Sequence, residues 1–170
     1  QEIHRLEAIS LEVSTFTTNQ SIVLGLTIGT VTVDDRSLVE VALASYNNIS
    51  TEAKAELTSE KALLDSLLAE IARQEAVLFE IASFKVHHSY SLSLTIEIVN
   101  IDDRSPIEVA LFDYDSLSTD AKASLLSEKT LLDNLLAEVI RLEAIASELA
   151  LFKTNYASEL ALSIETIMVT

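Results

Sequence analysis

The sequence lacks cysteine and contains only two glycines and one proline among its 170 residues. The absence of cysteine excludes disulfides and thiolate metal sites. Because glycine and proline are so scarce, no stretch has the composition of a flexible linker, and we expect one continuous array rather than linked domains. No run of 18 apolar residues occurs, which excludes a transmembrane helix.

Positive charge is also scarce, since 11 Lys and Arg stand against 27 Asp and Glu, for a net charge of −16. Nucleic acids and anionic membranes need Lys and Arg to neutralise phosphate, so the sequence predicts neither nucleic-acid binding nor membrane insertion. Apolar residues make up 49% of the chain and must be buried within it or against partners. The chain begins at Gln1 without a signal peptide, and we expect it to be processed or trimmed.

What the chain does contain is an internal repeat of 68 residues. Asp34–Ser37 recurs as Asp102–Ser105, and residues 34–76 and 102–144 are identical at 28 of 43 aligned positions. Flanking positions recur in three copies, namely Arg5/Arg73/Arg141, Glu7/Glu75/Glu143, Phe16/Phe84/Phe152, Leu26/Leu94/Leu162 and Ile28/Ile96/Ile164. Such a period is typical of stacked units that act as scaffolds or binding surfaces. We predict one array over 1–170, made of a half repeat 1–33 and repeats 34–101 and 102–170.

Each repeat contains two helical segments. Ser37 and Ser105, each followed three residues later by Glu, predict capping boxes at the start of a short helix. The apolar face of that helix carries Val39, Ala42, Leu43 and Tyr46 in one copy and Ile107, Ala110, Leu111 and Tyr114 in the other, and both tyrosines are predicted core residues. Ser50 and Ser118 predict N-caps of a second helix, which runs for roughly 33 residues because no Gly or Pro interrupts it.

The apolar pattern then changes to strict alternation. In the middle copy the alternating positions are Phe84, Val86, His88, Tyr90, Leu92, Leu94, Ile96 and Ile98. Alternation of this kind is typical of a half-buried strand. We therefore predict strands at 21–33, 89–101 and 158–169 in an α/β fold, a two-layer array with a mostly parallel three-stranded sheet. The alternative is an all-α, spectrin-like bundle in which these segments continue as helix.

Part of each repeat resembles a known pattern. Its residues are Asp103-Arg104-Ser105-Pro106-Ile107-Glu108-Val109-Ala110, Tyr114-Asp115-Ser116-Leu117-Ser118, Lys122 and Leu125, with Asp35-Arg36, Glu40, Ala42, Tyr46-Asn47, Ile49-Ser50, Lys54 and Leu57 in the first copy. The run resembles the helical-hairpin repeats of bacterial surface-layer and cell-wall proteins over about 43 residues of each repeat. The resemblance implies a structural role at a cell surface and carries over no catalytic residue.

Two acidic pairs are candidate metal ligands. Asp34–Asp35 and Asp102–Asp103 could bind Ca²⁺, which takes carboxylates in loops. We prefer a turn in which these acids pair with Arg36 or Arg104 and favour the helix N-terminus, because the further ligands of a calcium loop are missing.

The remaining polar candidates have simple structural explanations. His87 and His88 are adjacent, so on a strand they point to opposite faces and cannot easily share one ion; we expect a surface or edge position. His4 is isolated. Asn19–Ser21 and Asn48–Ser50 match the glycosylation sequon, a triplet that is common by chance.

The sequence therefore predicts a structural, self-assembling repeat protein of a cell surface or of an extracellular fibre or lattice. Self-assembly is expected because the outward strand face Ser89–Thr95 is small, flat and unguarded by Lys or Pro, and because the phase of the array suits a head-to-tail contact. The alternatives are a calcium- or glycan-binding surface adhesion module and an engineered repeat protein without natural function. We predict no enzymatic activity and no catalytic, cofactor-binding or metal-binding residue.

Overall fold

The structure, a computed structural model, describes residues 1–161. Of these residues 83% are helical, and no strand occurs among them. The predicted α/β fold is wrong, and the fold class is that of the all-α alternative.

Ten α-helices lie within residues 1–161. They are α1 (Glu2–Asn19), α2 (Ser21–Leu24), α3 (Arg36–Asn47), α4 (Thr51–Glu56), α5 (Thr58–His87), α6 (Ser89–Ser93), α7 (Arg104–Ser116), α8 (Thr119–Ser124), α9 (Leu126–Asn155) and α10 (Ala157–Leu160). Short 3₁₀ turns at Val33–Asp35 and Ile101–Asp103 precede α3 and α7. In each copy a hairpin of two short helices, α3–α4 or α7–α8, is thus followed by a helix of 30 residues.

The chain divides into two compact units, Gln1–Phe79 and Glu80–Thr170, and the second is described as far as residue 161. The first core consists of Phe16, Val23, Val31, Val39, Ala42, Tyr46, Leu57, Leu64, Leu67 and Ile71. The second consists of Phe84, Leu94, Val99, Ile107, Ala110, Tyr114, Leu125, Leu132, Leu135 and Val139. Nine of these ten positions correspond at the 68-residue shift, so the two units bury equivalent side chains.

The first part of the segment predicted as the middle strand is helical, because its buried side chains follow the helical period. Phe84, His88 and Ser91 are buried at a spacing of four and three residues, whereas Val86 and Ile98 are 72% and 60% exposed. The His88 amide donates to the Phe84 carbonyl at 3.0 Å. A helix satisfies its backbone groups within the segment, whereas a strand needs a neighbouring strand to do so.

As far as residue 161, the predicted strand segments have other structures. Residues 21–33 contain α2 and a turn, and residues 89–101 contain α6 and a turn. Of residues 158–169, the first three lie in α10, and residues 162–169 lie outside the described residues. The predicted outward strand face is also wrong, because Ser91 is 2% exposed within α6.

The predicted capping boxes at Ser37 and Ser105 are wrong by five residues. Both serines lie inside a helix, and the capping boxes are formed by Thr32 with Asp35 and by Asn100 with its equivalent acid. The 3₁₀ turn that each box opens runs directly into the short helix, so the cap of the turn also begins the helix.

The predicted caps at Ser50 and Ser118 are confirmed. Their hydroxyls accept from the amides of Ala53 and Ala121 at 3.2 and 3.3 Å. The helix after each cap is broken once, at Leu57 in the first copy and at the equivalent Leu125 in the second, where the prediction had one continuous helix.

Ser50→Ala is expected to lower the free energy of unfolding by about 1 kcal/mol, because the first turn of α4 loses a cap. Ser118→Ala should have an effect of similar size. Chemical denaturation of both variants measures it. Ser66, an exposed residue within α5, provides the control, and its change to alanine should stay within about 0.5 kcal/mol. A loss no larger than that of the control would refute the capping role.

Candidate functional site

The polar side chains that recur in both copies connect the hairpin to the following long helix. Arg36 donates from Nε to Glu75 Oε1 at 2.6 Å and from Nη1 to Glu40 Oε1 at 2.9 Å. The hydrogen bond from Arg36 lowers the pKa of Glu75. At the equivalent position, Arg104 Nη1 donates to Glu143 Oε2 at 2.6 Å. Each arginine thus joins the start of the short helix to the middle of the long one.

In each copy a tyrosine links the two short helices of the hairpin. Tyr46 donates its hydroxyl proton to the Lys54 carbonyl at 3.2 Å, and Tyr114 donates to the Lys122 carbonyl at 2.9 Å. The tyrosines are 9% and 7% exposed, so the prediction that they are core residues is confirmed. Each hydroxyl thus adds a second donor to a carbonyl at the end of α4 or α8 that already accepts from the amide of Leu57 or Leu125.

In each copy a glutamate of the preceding helix binds the start of the second short helix of the hairpin. The Ser50 amide donates to Glu12 Oε2 at 3.1 Å, and the Ser118 amide donates to Glu80 Oε2 at 3.0 Å. Hydrogen bonds from Ser118 lower the pKa of Glu80. In both copies a carboxylate therefore lies at the N-terminus of the second short helix, where the helix dipole favours negative charge.

The second acid of each pair accepts hydrogen bonds within the turn that precedes the short helix. Asp35 accepts from the amide and hydroxyl of Thr32 at 2.9 and 3.0 Å. Asp103 is 3% exposed; it accepts from the Asn100 amide at 2.9 Å and from the Tyr90 hydroxyl, and this bond raises the pKa of Tyr90. The first acid of each pair is exposed. Within residues 1–161, no group of three or more His, Asp or Glu could hold a metal ion.

The two adjacent histidines have different environments. His88 is 8% exposed; its Nε2 lies 3.0 Å from Asp113 Oδ2 and its ring centroid 4.8 Å from that of Phe84. The expected surface position of His88 is therefore wrong. His87 is exposed, and its Nδ1 lies 2.8 Å from the Ser83 carbonyl.

The His88 contact has an equivalent in the first copy. At the equivalent positions of the first copy, Gln20 Nε2 donates to Ser45 Oγ at 3.4 Å. Both members of the pair thus change between the copies while their separation of 25 residues stays the same. The two copies differ at many other positions as well, so this paired difference by itself could not have placed His88 against Asp113.

The other singled-out residues lie at exposed positions. His4 Nδ1 lies 3.3 Å from Glu7 Oε2 on the surface of α1. Asn19 ends α1, and Asn48 is the C-cap of α3. Ser50, the third residue of the second sequon, is the helix cap described above.

One cleft of the second unit has a volume of about 430 Å³ and is lined by Lys85, Leu92, Ser127, Glu128 and Leu131. Lys85 Nζ lies 2.7 Å from Glu128 Oε1, and the hydrogen bond from Lys85 lowers the pKa of Glu128. The charged groups of this cleft therefore bind each other, and they connect the end of α5 to the first turn of α9.

Carboxylates on the long helices make stability depend on pH. Hydrogen bonds from Arg73 and then Gln74 lower the pKa of Glu70 from its ordinary 4.5 to about 2. A depressed pKa means that the ionised group stabilises the fold above about pH 4.5 and that this contribution is lost as the pH falls towards 2. Glu138 has a lowered pKa for the same reason, through Arg141.

Glu70→Gln should therefore be less stable than the parent chain near neutral pH, and the difference should shrink as the pH falls through this window. Urea titrations at several pH values measure it, and Glu138→Gln tests the same effect in the second unit. A difference that stays constant down to the lowest pH would contradict the proposed origin of the shift.

The fold and these contacts define an all-α repeat protein built of helical hairpins. The chain matches no known family model, no curated protein and no solved structure. None of the helices within residues 1–161 has the length and apolar character needed to span a bilayer.

Proposed function

We propose that the chain is a structural repeat module of a cell surface or extracellular lattice, without catalytic activity. The observation that carries this proposal is the duplication of the polar contacts. The Arg–Glu, Tyr–carbonyl and Ser–Glu contacts of the first unit recur in the second at the same 68-residue shift.

This duplication favours a structural role for a chemical reason. A side chain used in catalysis must be free to contact a substrate. Here the polar groups kept in both copies join one helix to the next. Stacked units with such internal contacts are typical of scaffolds and of extended binding surfaces. The surface location is proposed from the sequence resemblance of the hairpin to cell-wall repeats.

Location is tested by labelling cells of the organism that encodes the chain. Antibodies raised against the purified 170-residue chain should label intact cells as strongly as permeabilised ones. A cytoplasmic protein provides the control and should be labelled only after permeabilisation. If the chain is also labelled only after permeabilisation, the surface location is wrong.

We further propose that the chain associates with copies of itself. The strand face that motivated this prediction does not exist, so the support now comes from large apolar side chains on the helices. Ile3 and Leu11 of α1 are 70% and 67% exposed, and Phe112 of α7 is 72% exposed. Association would remove this apolar surface from water. Mass photometry and sedimentation equilibrium should show a mass that rises with concentration, and a monomer at every concentration would refute the proposal.

A further inference from the structure

One face of α9 is more exposed than the equivalent face in both other copies. The clearest position is the repeated phenylalanine: Phe16 and Phe84 are 3% and 4% exposed, whereas Phe152 is 51% exposed. We define the α9 face as Ile145, Leu149, Phe152 and Tyr156, which are 47%, 50%, 51% and 49% exposed. Their equivalents are half-buried or buried in the first copy (Ile9, Val13, Phe16, Gln20) and in the second (Val77, Ile81, Phe84, His88).

In the two buried copies the covering element is the helical hairpin of the same unit. The ring centroids of Phe16 and Tyr46 lie 6.1 Å apart at an interplanar angle of 72°. Those of Phe84 and Tyr114 lie 6.1 Å apart at 70°. Two independent copies thus show the same edge-to-face contact, which is a favoured aromatic geometry.

The polar residues beside the phenylalanine match as well. Glu148 is exposed and is equivalent to Glu12 and Glu80, which accept the amide protons of Ser50 and Ser118. A carboxylate at this position is complementary to the positive end of a helix that begins with a capping serine.

A lysine beside the α9 face indicates where the helix that follows the bound hairpin would lie. Lys153 is equivalent to Lys85, whose Nζ forms an ion pair at 2.7 Å with Glu128 in the first turn of the helix after the hairpin. The α9 face and its flanks thus carry an apolar stripe, an acceptor for a helix N-terminus and a cation, in the same order as the end of α5.

We propose that the α9 face binds a helical hairpin of this chain's own repeat type, carried by a partner polypeptide. The partner has a short helix with a tyrosine near its end, a serine four residues later that caps a second short helix, and a glutamate in the helix that follows. The tyrosine ring packs against Phe152, the serine amide donates to Glu148, and the glutamate pairs with Lys153. The inference deepens the proposed structural role and rests on it, since it names what a module of this kind joins.

The test measures hydrogen exchange of the α9 face in the full 170-residue chain. The probe is a peptide with the sequence of residues 102–128, which contains one complete hairpin and the following glutamate. It is added in trans in one experiment and fused through a flexible linker after Thr170 in another. The fused form raises the effective concentration and compensates for weak binding.

Exchange at residues 145–156 should slow about tenfold in the fused form, as expected when the bound state is about ten times more populated than the free state. The free peptide should cause slowing that saturates as its concentration rises. Phe152→Asp should abolish both effects. The matched control is Ser147→Asp, at an exposed position of the same helix, because its equivalents Leu11 and Phe79 are 67% and 73% exposed in the other copies.

Several results would overturn the proposal. These are unchanged exchange with both forms of the probe, equal slowing with a scrambled peptide, and a Ser147→Asp effect as large as that of Phe152→Asp. Slowing of residues 145–156 without a probe that grows with protein concentration and is abolished by Phe152→Asp would show that a second copy covers the face, and the assignment to a different partner polypeptide would then be wrong. If antibodies label intact cells but exchange is unchanged, only this inference is rejected. If exchange slows but the chain is labelled only after permeabilisation, only the surface role is rejected.

Discussion

Replacing Phe84 with alanine is expected to lower the free energy of unfolding of the second unit by about 3–5 kcal/mol. Phe84 is 4% exposed and lies in the core of that unit, in edge-to-face contact with Tyr114 and 4.8 Å from the His88 ring. The alanine variant loses the transfer free energy of the ring and leaves a cavity that packed helices fill only in part. It also removes an aromatic pair worth about 0.5–1.5 kcal/mol.

The repeat supplies two matched comparisons for this variant. Phe16→Ala should cost a similar amount in the first unit, because Phe16 is 3% exposed and makes the same contact with Tyr46. Phe152→Ala should change stability by less than about 1 kcal/mol, because a half-exposed ring loses little burial. All three variants carry the same chemical change at equivalent positions, so the differences between them measure the burial and the ring contacts of each phenylalanine.

The measurement is chemical denaturation combined with hydrogen exchange, which assigns the loss to one unit or the other. A cost for Phe152→Ala as large as that for Phe84→Ala would show that the α9 face is covered in the isolated chain. A small cost for Phe84→Ala would contradict the packing of the second unit.

Replacing Leu132 with alanine should destabilise the second unit by about 2–5 kcal/mol. Leu132 is 0% exposed in α9, and its equivalent Leu64 is 0% exposed in α5, so Leu64→Ala should cost a similar amount in the first unit. Both side chains lie in the half of the long helix that packs in the core with the hairpin of the same copy.

Leu126 provides the control on the same helix. It is 64% exposed, and its change to alanine should stay within about 0.5 kcal/mol because little apolar surface is removed from water on folding. Thermal and urea unfolding curves of the three leucine variants measure the effects. Equal costs at Leu126 and Leu132 would mean that α9 does not present the described face to the core.

The comparison of the two copies also separates structural residues from surface residues. Arg36, Tyr46 and Ser50 are kept in the second copy, and each makes an equivalent contact there. At these three positions, identity between the repeats accompanies a contact that both units make. Paired differences, such as Gln20 with Ser45 against His88 with Asp113, mark contacts that each copy makes in its own way.

The sequence alone determined the repeat, the helical hairpin and the core tyrosines. These features depend on residues close together in the chain, such as the Ser50 cap and its amide three residues later. Local hydrogen bonds and helical spacing of apolar residues suffice to predict them. The absence of glycine and proline within residues 50–84 likewise determined a long helical segment.

Only the tertiary structure decided the conformation of the segments after the long helices. The alternating residues from Phe84 to Ile98 fit a strand, but the same segment also contains a helical stripe through His88 and Ser91. The hairpin packs against that stripe, which leaves Val86 exposed, and Ile98 lies exposed in the turn after α6. Alternation records only which residues are apolar, whereas the packing partner decides which of them are buried. For the same reason the exposure of Phe152 could not be predicted, since its sequence context is that of two buried phenylalanines.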